Sequence, residues 1–237
     1  MTGCSLPKTA SSSTSDPPAG PDTLSRLLAE IRACRICLEQ PQGKPLPHPP
    51  RPVLRASAAA RIGVFGQAPG VRVNASGVPF SDPSGVRLRE WMGVSHAEFY
   101  DETRIAIVPM GFCFPGHDAK GGDLPPRREC ARAWREQLML AMPRLEFVLL
   151  VGSYAQAWHL PSADTRAGLS ATVEAWRCLV GRPGRPAFLP LPHPSWRNNA
   201  WLKANSWFET DLLPPLRKEV QRLCDVRAAE AGFAGNP

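Results

Sequence analysis

The sequence lacks any run of about 18 consecutive apolar residues, the length that a transmembrane helix needs. Its first residues also lack the apolar core of a secretory signal peptide. These two absences predict a cytoplasmic protein with no segment in a membrane. Acidic residues are also in deficit: 21 Asp and Glu stand against 28 Lys and Arg, and the formal net charge is +7. This excess favours an anionic partner, nucleic acid first, although an arginine-rich, GC-rich genome gives the same balance.

The two ends of the chain contain little that a folded core would bury. Residues 1–21 are rich in Ser, Thr, Pro and Gly, a composition typical of a disordered tail. Residues 226–237 predict a flexible C-terminal tail. Between them, residues 22–225 are long enough for one domain, and 43% of the whole chain is apolar. We expect this domain to be a monomer.

Short apolar runs alternate with helix-like segments along the chain. The predicted strands are Arg61–Phe65, Arg104–Val108, Glu146–Val151 and Ala187–Leu191. The predicted helices are one capped by Asp22 and Thr23 that extends to Cys34, then Ser84–Met92, Pro126–Met142, Ser153–His159 and Phe208–Cys224. Residues 40–53 predict an extended connector. This alternation favours the α/β class, with a central four-stranded parallel sheet between two helical layers in a three-layer α/β/α fold.

Two turns with unusual chemistry follow predicted strands. Gly66-Gln67-Ala68-Pro69-Gly70 comes directly after the first strand, and His193-Pro194-Ser195 comes after the fourth. Ligands of open α/β sheets bind in the loops beyond the carboxyl ends of the strands. The sequence therefore predicts one site built from both turns.

Four cysteines have a spacing that suits a metal. Cys34 and Cys37 form a C-x2-C pair, Cys113 closes the second strand, and Cys130 lies in the next helix. Four thiolates suit zinc or an iron–sulfur cluster, whereas a buried cysteine is otherwise a small apolar residue. The Gly- and Pro-rich loop Cys113–Pro126 lies between two of them, and a loop of this length is usually functional or disordered.

These features together resemble the uracil-DNA glycosylase superfamily, in particular its iron–sulfur branches, families four and five. The first motif of those families is of the type Gly-x-Ala-Pro-Gly, matched by Gly66–Gly70, and a Gly-x-Pro-Phe segment follows, matched by Gly77–Phe80. Their second motif is His-Pro-Ser, matched by His193–Ser195. The resemblance extends from about Asp22 to Cys224. It implies an enzyme that flips uracil or a related deaminated base out of DNA and excises it by hydrolysis.

The resemblance also implies a cofactor. In families four and five, cysteines spaced like these hold a four-iron four-sulfur (4Fe–4S) cluster, which makes zinc the less favoured metal here. The matching ligands in this sequence are Cys34, Cys37, Cys113 and Cys130.

The first motif departs from its relatives. The best-known branch has an Asp after the Gln, and family four has a Glu after the first Gly, whereas this chain has Ala68 and Gln67 at those positions. Pro109 stands where family four has an Asn that reads the base. Family five also lacks these groups and is similar to this chain over Ser81–Gly85, which leaves Asp82 as the candidate carboxylate.

Excision of a base needs a donor that faces the base and a carboxylate that faces the sugar, because bond breaking makes the base negative and the sugar positive. We assign His193 as the donor, Asp82 as the carboxylate that orients water, and Gln67 as a partner of the base edge. Asp82 also suits a second role, because Asp is a good N-cap for the helix that follows.

The base needs a wall on which to stack. We favour stacking on Phe80, because Pro79 stiffens its approach, over the alternative that Phe80 anchors the loop in the core. The other candidates for base binding are Gly66, Ala68, Pro69, Gly70 and Asn74.

DNA needs phosphate contacts and a residue to fill the vacated stack. Trp196 or Arg197 is placed to enter the stack, and Trp201 and Trp207 are expected to pack in the core. The candidate DNA contacts are Ser84, Ser195, Trp196, Arg197 and Asn198, with Arg72 and Lys203 as further phosphate contacts.

Two other functions remain open at this stage. A non-catalytic, damage-sensing nucleic-acid binder with the same fold would explain the missing carboxylates at Gln67 and Ala68. A hydrolase of free nucleosides is the third possibility, which the net charge of +7 disfavours.

Overall fold

The computed structural model describes residues 21–225, and its centre is a parallel four-stranded sheet. Each strand lies inside its predicted range, so the predicted sheet is confirmed. The strands are β1 (Ile62–Phe65), β2 (Ile105–Ile107), β3 (Phe147–Val151) and β4 (Ala187–Leu191), in the spatial order β2-β1-β3-β4. In the register, Ile62 of β1 is level with Ile105 of β2 and Phe147 of β3.

The helices of the described range vary widely in length. They are α1 (Pro21–Arg32), α2 (Ile36–Glu39), α3 (Val71–Ser76), α4 (Pro83–Met92), α5 (His96–Phe99), α6 (Arg128–Ala141), α7 (Ser153–His159), α8 (Ser162–Thr165), α9 (Leu169–Glu174), α10 (Trp176–Val180), α11 (Asn199–Ala204) and α12 (Leu213–Cys224). A 3-10 turn covers Trp196–Asn198, and a π-helical segment covers Phe208–Leu212.

Two separate hydrophobic cores cover the two faces of the sheet. Leu27 of α1 and Leu138 of α6 belong to one core, and Leu88 of α4 and Val220 of α12 belong to the other. The β3 side chains alternate between the cores, as expected for a strand buried on both faces. This arrangement confirms the three-layer α/β/α fold.

The ends of several elements differ from the sequence predictions. Helix α1 ends at Arg32 rather than at Cys34, and Cys37 lies in the separate short helix α2. The last predicted helix is α-helical only from Leu213, because Pro214 and Pro215 lack the N–H groups that would continue an α-helical ladder from the preceding turn. That preceding turn is the wider π-helical segment.

Some predictions concern regions that the structure reaches only in part. The predicted tails, residues 1–21 and 226–237, lie outside the described residues except at Pro21, where α1 begins. No helix between residues 21 and 225 has the length and apolar character needed to cross a bilayer. The connector at residues 40–53 contains no helix or strand, as predicted.

The buried side chain of His159 makes the free energy of unfolding depend on pH. His159 lies on α7, and its ring packs against Phe65 and Phe188. Burial lowers its pKa to about 3, and the positive charge of Arg135 contributes to this shift. The unfolded chain therefore binds a proton below pH about 6.5 that the folded chain rejects until pH about 3. We expect this histidine alone to remove about 2 kcal/mol of unfolding free energy between pH 7 and pH 5.

Urea titrations of the wild type and of His159→Phe at pH 7 and pH 5 measure this loss. The variant keeps an aromatic ring but has nothing to titrate, so its stability is expected to fall by about 2 kcal/mol less over the same interval. Equal losses in both proteins would show that His159 is not the group responsible.

Candidate active site

Both predicted turns line one cavity at the carboxyl ends of β1 and β4. We call it the inner cavity; its volume is about 50 Å³. Ile107 and Pro109 close it from the side of β2. Its polar and turn residues are Gly66, Gln67, Ala68, Pro69, Gly70, Phe80, Asp82, Ser84 and His193.

The first turn is tied to the chain that leaves β2. The N–H of Met110 donates to the carbonyl of Gly66 at 2.9 Å, and the N–H of Gly111 donates to the carbonyl of Gln67 at 3.0 Å. The side-chain amide of Gln67 makes no hydrogen bond with another described residue. Gln67 is therefore free to hydrogen-bond to a ligand in the inner cavity.

Phe80 is held as a wall of the inner cavity by its backbone. Its φ of 54° is unusual for a residue other than glycine. The hydroxyl of Tyr100 donates to its carbonyl at 3.1 Å, and a Cβ on Gly85 would lie only 1.8 Å from that carbonyl oxygen. Its ring covers Gly66 and also meets the edge of Phe99 at a centroid distance of 6.2 Å. Phe80 thus borders the cavity and packs on the core, as both interpretations require.

Asp82 has the capping role that was the alternative to catalysis. One carboxylate oxygen accepts the N–H of Gly85 at 3.2 Å and the hydroxyl of Ser84 at 2.5 Å at the start of α4. The same residue lines the inner cavity. Ser84 is buried with its hydroxyl directed at Asp82, so its side chain belongs to the cavity wall.

His193 reaches the cavity as a neutral imidazole. Burial lowers its pKa, while the negative charges of Asp82 and Asp123 oppose that shift. Neither ring nitrogen bonds to another residue within the described range. Its backbone carbonyl accepts the side-chain amide of Asn198 at 2.6 Å, which fixes the turn after β4. The ring is thus available to donate a hydrogen bond to a ligand.

A wider depression, which we call the outer cleft, opens from the inner cavity. Trp196 stands at its rim with 73% of its surface exposed, and the guanidinium of Arg197 lies 5.7 Å from its ring centre. Arg87 donates to the carbonyl of Ser195 at 3.2 Å and so braces this turn against α4. The cleft is bordered by Gln67, Asp82, Ser84, His193, Arg72, Arg87, Asp123, Leu124, Ser195, Trp196, Arg197 and Asn198.

Two predicted contacts lie elsewhere. Asn74 lines neither the inner cavity nor the outer cleft: its backbone carbonyl accepts a bond from Arg51, and its side-chain oxygen is buried without a partner among the described residues. Lys203 lines a neighbouring groove with Arg87. Trp201 and Trp207 pack against the core around Phe208, as predicted.

Asp123 borders the site although the sequence analysis did not single it out. It lies in the Cys113–Pro126 loop, whose length and composition were the only signal of function. Arg87 was also missed, because a single arginine on a helix has no distinguishing pattern.

The four predicted metal ligands come from four segments of the chain. Cys34 follows α1, Cys37 lies in α2, Cys113 follows β2, and Cys130 lies in the first turn of α6. All four thiols are free of disulfide bonds. Burial raises the pKa of Cys113 to about 12, and the nearby Cys37 and Cys34 raise it further. Burial also raises the pKa of Cys130, with the same neighbours contributing.

These neighbouring thiols fit a ligand that prefers soft donors. The N–H of Phe112 donates to the sulfur of Cys130 at 3.3 Å, the kind of bond that supports a thiolate ligand. Within the described range, no three His, Cys, Asp or Glu side chains are already grouped around a single metal ion. Four thiols suit a metal ion or cluster that binds through thiolates.

The family model of the Uracil DNA glycosylase superfamily matches residues 55–217. That range contains both turns, Phe80, Asp82 and the second pair of cysteines, but it begins after Cys34 and Cys37. The match covers more than half of the chain and agrees with the parallel sheet and the cavity at its carboxyl edge. The chain therefore belongs to the Uracil DNA glycosylase superfamily, and this membership indicates a DNA glycosylase.

Proposed function

We propose that this protein removes uracil or a related deaminated base from DNA by hydrolysing the bond between base and deoxyribose. The observation that supports the proposal most directly is the inner cavity, where a neutral His193, the free amide of Gln67, the ring of Phe80 and the carboxylate of Asp82 meet. A flipped base needs these groups: an aromatic wall, edge partners and a donor.

The proposed roles follow from where charge develops. The base in the inner cavity stacks on Phe80, and His193 donates to the base oxygen that becomes negative as the bond breaks. The sugar lies where the inner cavity meets the outer cleft, and Asp82 lines both of them. The negative charge of Asp82 offsets the positive character of the sugar, and its carboxylate orients water there.

DNA is proposed to lie across the outer cleft. Arg72, Arg87 and Arg197 contribute positive charge there for the phosphates. Trp196 is exposed enough to enter the space that the flipped nucleotide leaves.

Trp196→Ala is expected to weaken binding of duplex DNA about tenfold, since stacking of one aromatic residue contributes about 1–3 kcal/mol. Fluorescence anisotropy with a labelled duplex measures the loss. Trp158→Ala is the matched control, because Trp158 is also exposed but borders neither the inner cavity nor the outer cleft. Equal effects of the two substitutions would contradict the proposed role of Trp196.

The four cysteines are proposed to hold a 4Fe–4S cluster. The four thiols lie close enough for the charge of one to shift the pKa of another, and thiolates are the ligands that iron–sulfur clusters take. The cluster would be structural: it would fix α1, α2 and α6 around the start of the Cys113–Pro126 loop, so that metal binding adds to folding.

Base release tests the function directly. Labelled oligonucleotides with one uracil, hypoxanthine or xanthine, single- and double-stranded, are incubated with the protein and then cleaved with alkali. Strand breaks at one lesion support the glycosylase and identify its base. No breaks, together with retained binding of the lesion in a gel shift, would favour the damage-sensing alternative. A cytoplasmic location and a monomeric state remain predictions.

A further inference from the structure

The Cys113–Pro126 loop brings a second carboxylate to the site. Asp123 borders the outer cleft together with Gln67, Asp82 and His193. Its Oδ2 lies 3.3 Å from the point that a Cβ on Gly70 would occupy. The carboxylate thus rests directly on the last residue of the first turn, the motif that lacks a carboxylate of its own.

The loop holds Asp123 in this position. Its Oδ1 lies 3.3 Å from Nδ1 of His117, and the backbones of these two residues form an antiparallel bridge. Asp118 closes the small turn between them by accepting the N–H groups of Lys120 at 2.8 Å and Gly122 at 2.9 Å. One oxygen of Asp123 is therefore engaged by the loop, while the other faces the first turn.

The two carboxylates border different parts of the site. Asp82 borders both the inner cavity and the outer cleft, and one of its oxygens caps α4. Asp123 borders the outer cleft alone and is 40% exposed, so water reaches it freely. Both negative charges act on the imidazole of His193, and all three side chains border the outer cleft.

We propose that Asp123 is the catalytic carboxylate that takes the proton from the attacking water, while Asp82 faces the positive sugar. This assignment rests on the proposed function. The water oxygen bonds to C1′ of the deoxyribose, and the bond from C1′ to the base nitrogen breaks with its electron pair leaving on the base. One water proton passes to Asp123 and then to solvent, and the released base takes up a proton from solvent.

The test compares Asp123→Asn with Glu136→Gln in single-turnover base release from an oligonucleotide that contains the lesion the wild type cleaves. Glu136 is exposed on α6, and its replacement removes the same charge, but it borders neither the inner cavity nor the outer cleft. We expect Asp123→Asn to lose about 100-fold in rate, as for loss of a general base, with DNA affinity within about threefold of the wild type. Glu136→Gln should stay within about threefold in both.

The outcomes separate this assignment from the function on which it rests. If the wild type releases no base from any of the oligonucleotides, the proposed function fails and the assignment with it. If the wild type is active and Asp123→Asn stays within threefold, the assignment alone is overturned. An equal loss in Glu136→Gln would also overturn it, because loss of a negative charge far from the site would then explain the effect.

Discussion

His193→Ala is expected to lower the rate of base release by about 10²- to 10³-fold, because it removes a fixed donor from the site where negative charge develops. His193 suits this role because burial keeps its imidazole neutral and no described residue occupies its ring nitrogens. A donor held in place before the reaction needs no reorganisation as the bond breaks, so its loss falls on the chemical step and leaves DNA binding nearly unchanged.

Single-turnover kinetics with saturating enzyme measure this effect, and anisotropy measures binding. His96→Gln is the control, since His96 is exposed at the start of α5 and borders neither the inner cavity nor the outer cleft. A His193→Ala protein that releases base within threefold of the wild-type rate would remove His193 from the mechanism.

Cys130→Ser is expected to abolish iron binding and to lower Tm by about 10 °C or more. A structural metal contributes about 10–16 kcal/mol in small zinc domains, which is comparable with the whole stability of a typical protein, and each lost kcal/mol lowers Tm by about 2–4 °C at this size. Serine is almost the same size as cysteine, so packing alone explains little of such a loss.

Iron and zinc analysis of protein purified without oxygen, together with visible absorbance, measures occupancy. Cys224→Ser is the matched control: Cys224 is also buried but belongs to the core on the other face of the sheet. Iron retained in Cys130→Ser, or lost equally in Cys224→Ser, would contradict the cluster. Zinc in place of iron would keep the four-thiolate site and exclude the 4Fe–4S assignment.

The strands and the long helices could be predicted because each buries a continuous apolar pattern. The runs before Gly66 and before His193 are the clearest cases, and they placed both turns at the correct edge of the sheet. The short helices α3, α5 and α11 were missed, since four to six residues are too few for helical periodicity to emerge. The π-helical segment before Pro214 depends on backbone geometry that no composition signal reveals.

The residues that line the cavity were predictable mainly where turns directly follow strands. Gln67, Phe80, Asp82 and His193 come together as predicted. Asn74 does not line the cavity as predicted, because the short helix α3 turns its side chain away from it. Asp123 was missed because its place beside Gly70 results from how a long loop folds back, and sequence separation alone gives no sign of it.

The contact between Gly85 and the carbonyl of Phe80 has a consequence for engineering base preference. A methyl group at position 85 would meet that oxygen at 1.8 Å, so a saturation library at this position should return glycine alone. The close contact with Gly85 fixes the backbone of Phe80, so only the side chain at position 80 can be varied. Selections for altered base preference should therefore randomise residue 80 and leave residue 85 untouched, because one position sets the shape of the wall and the other its place.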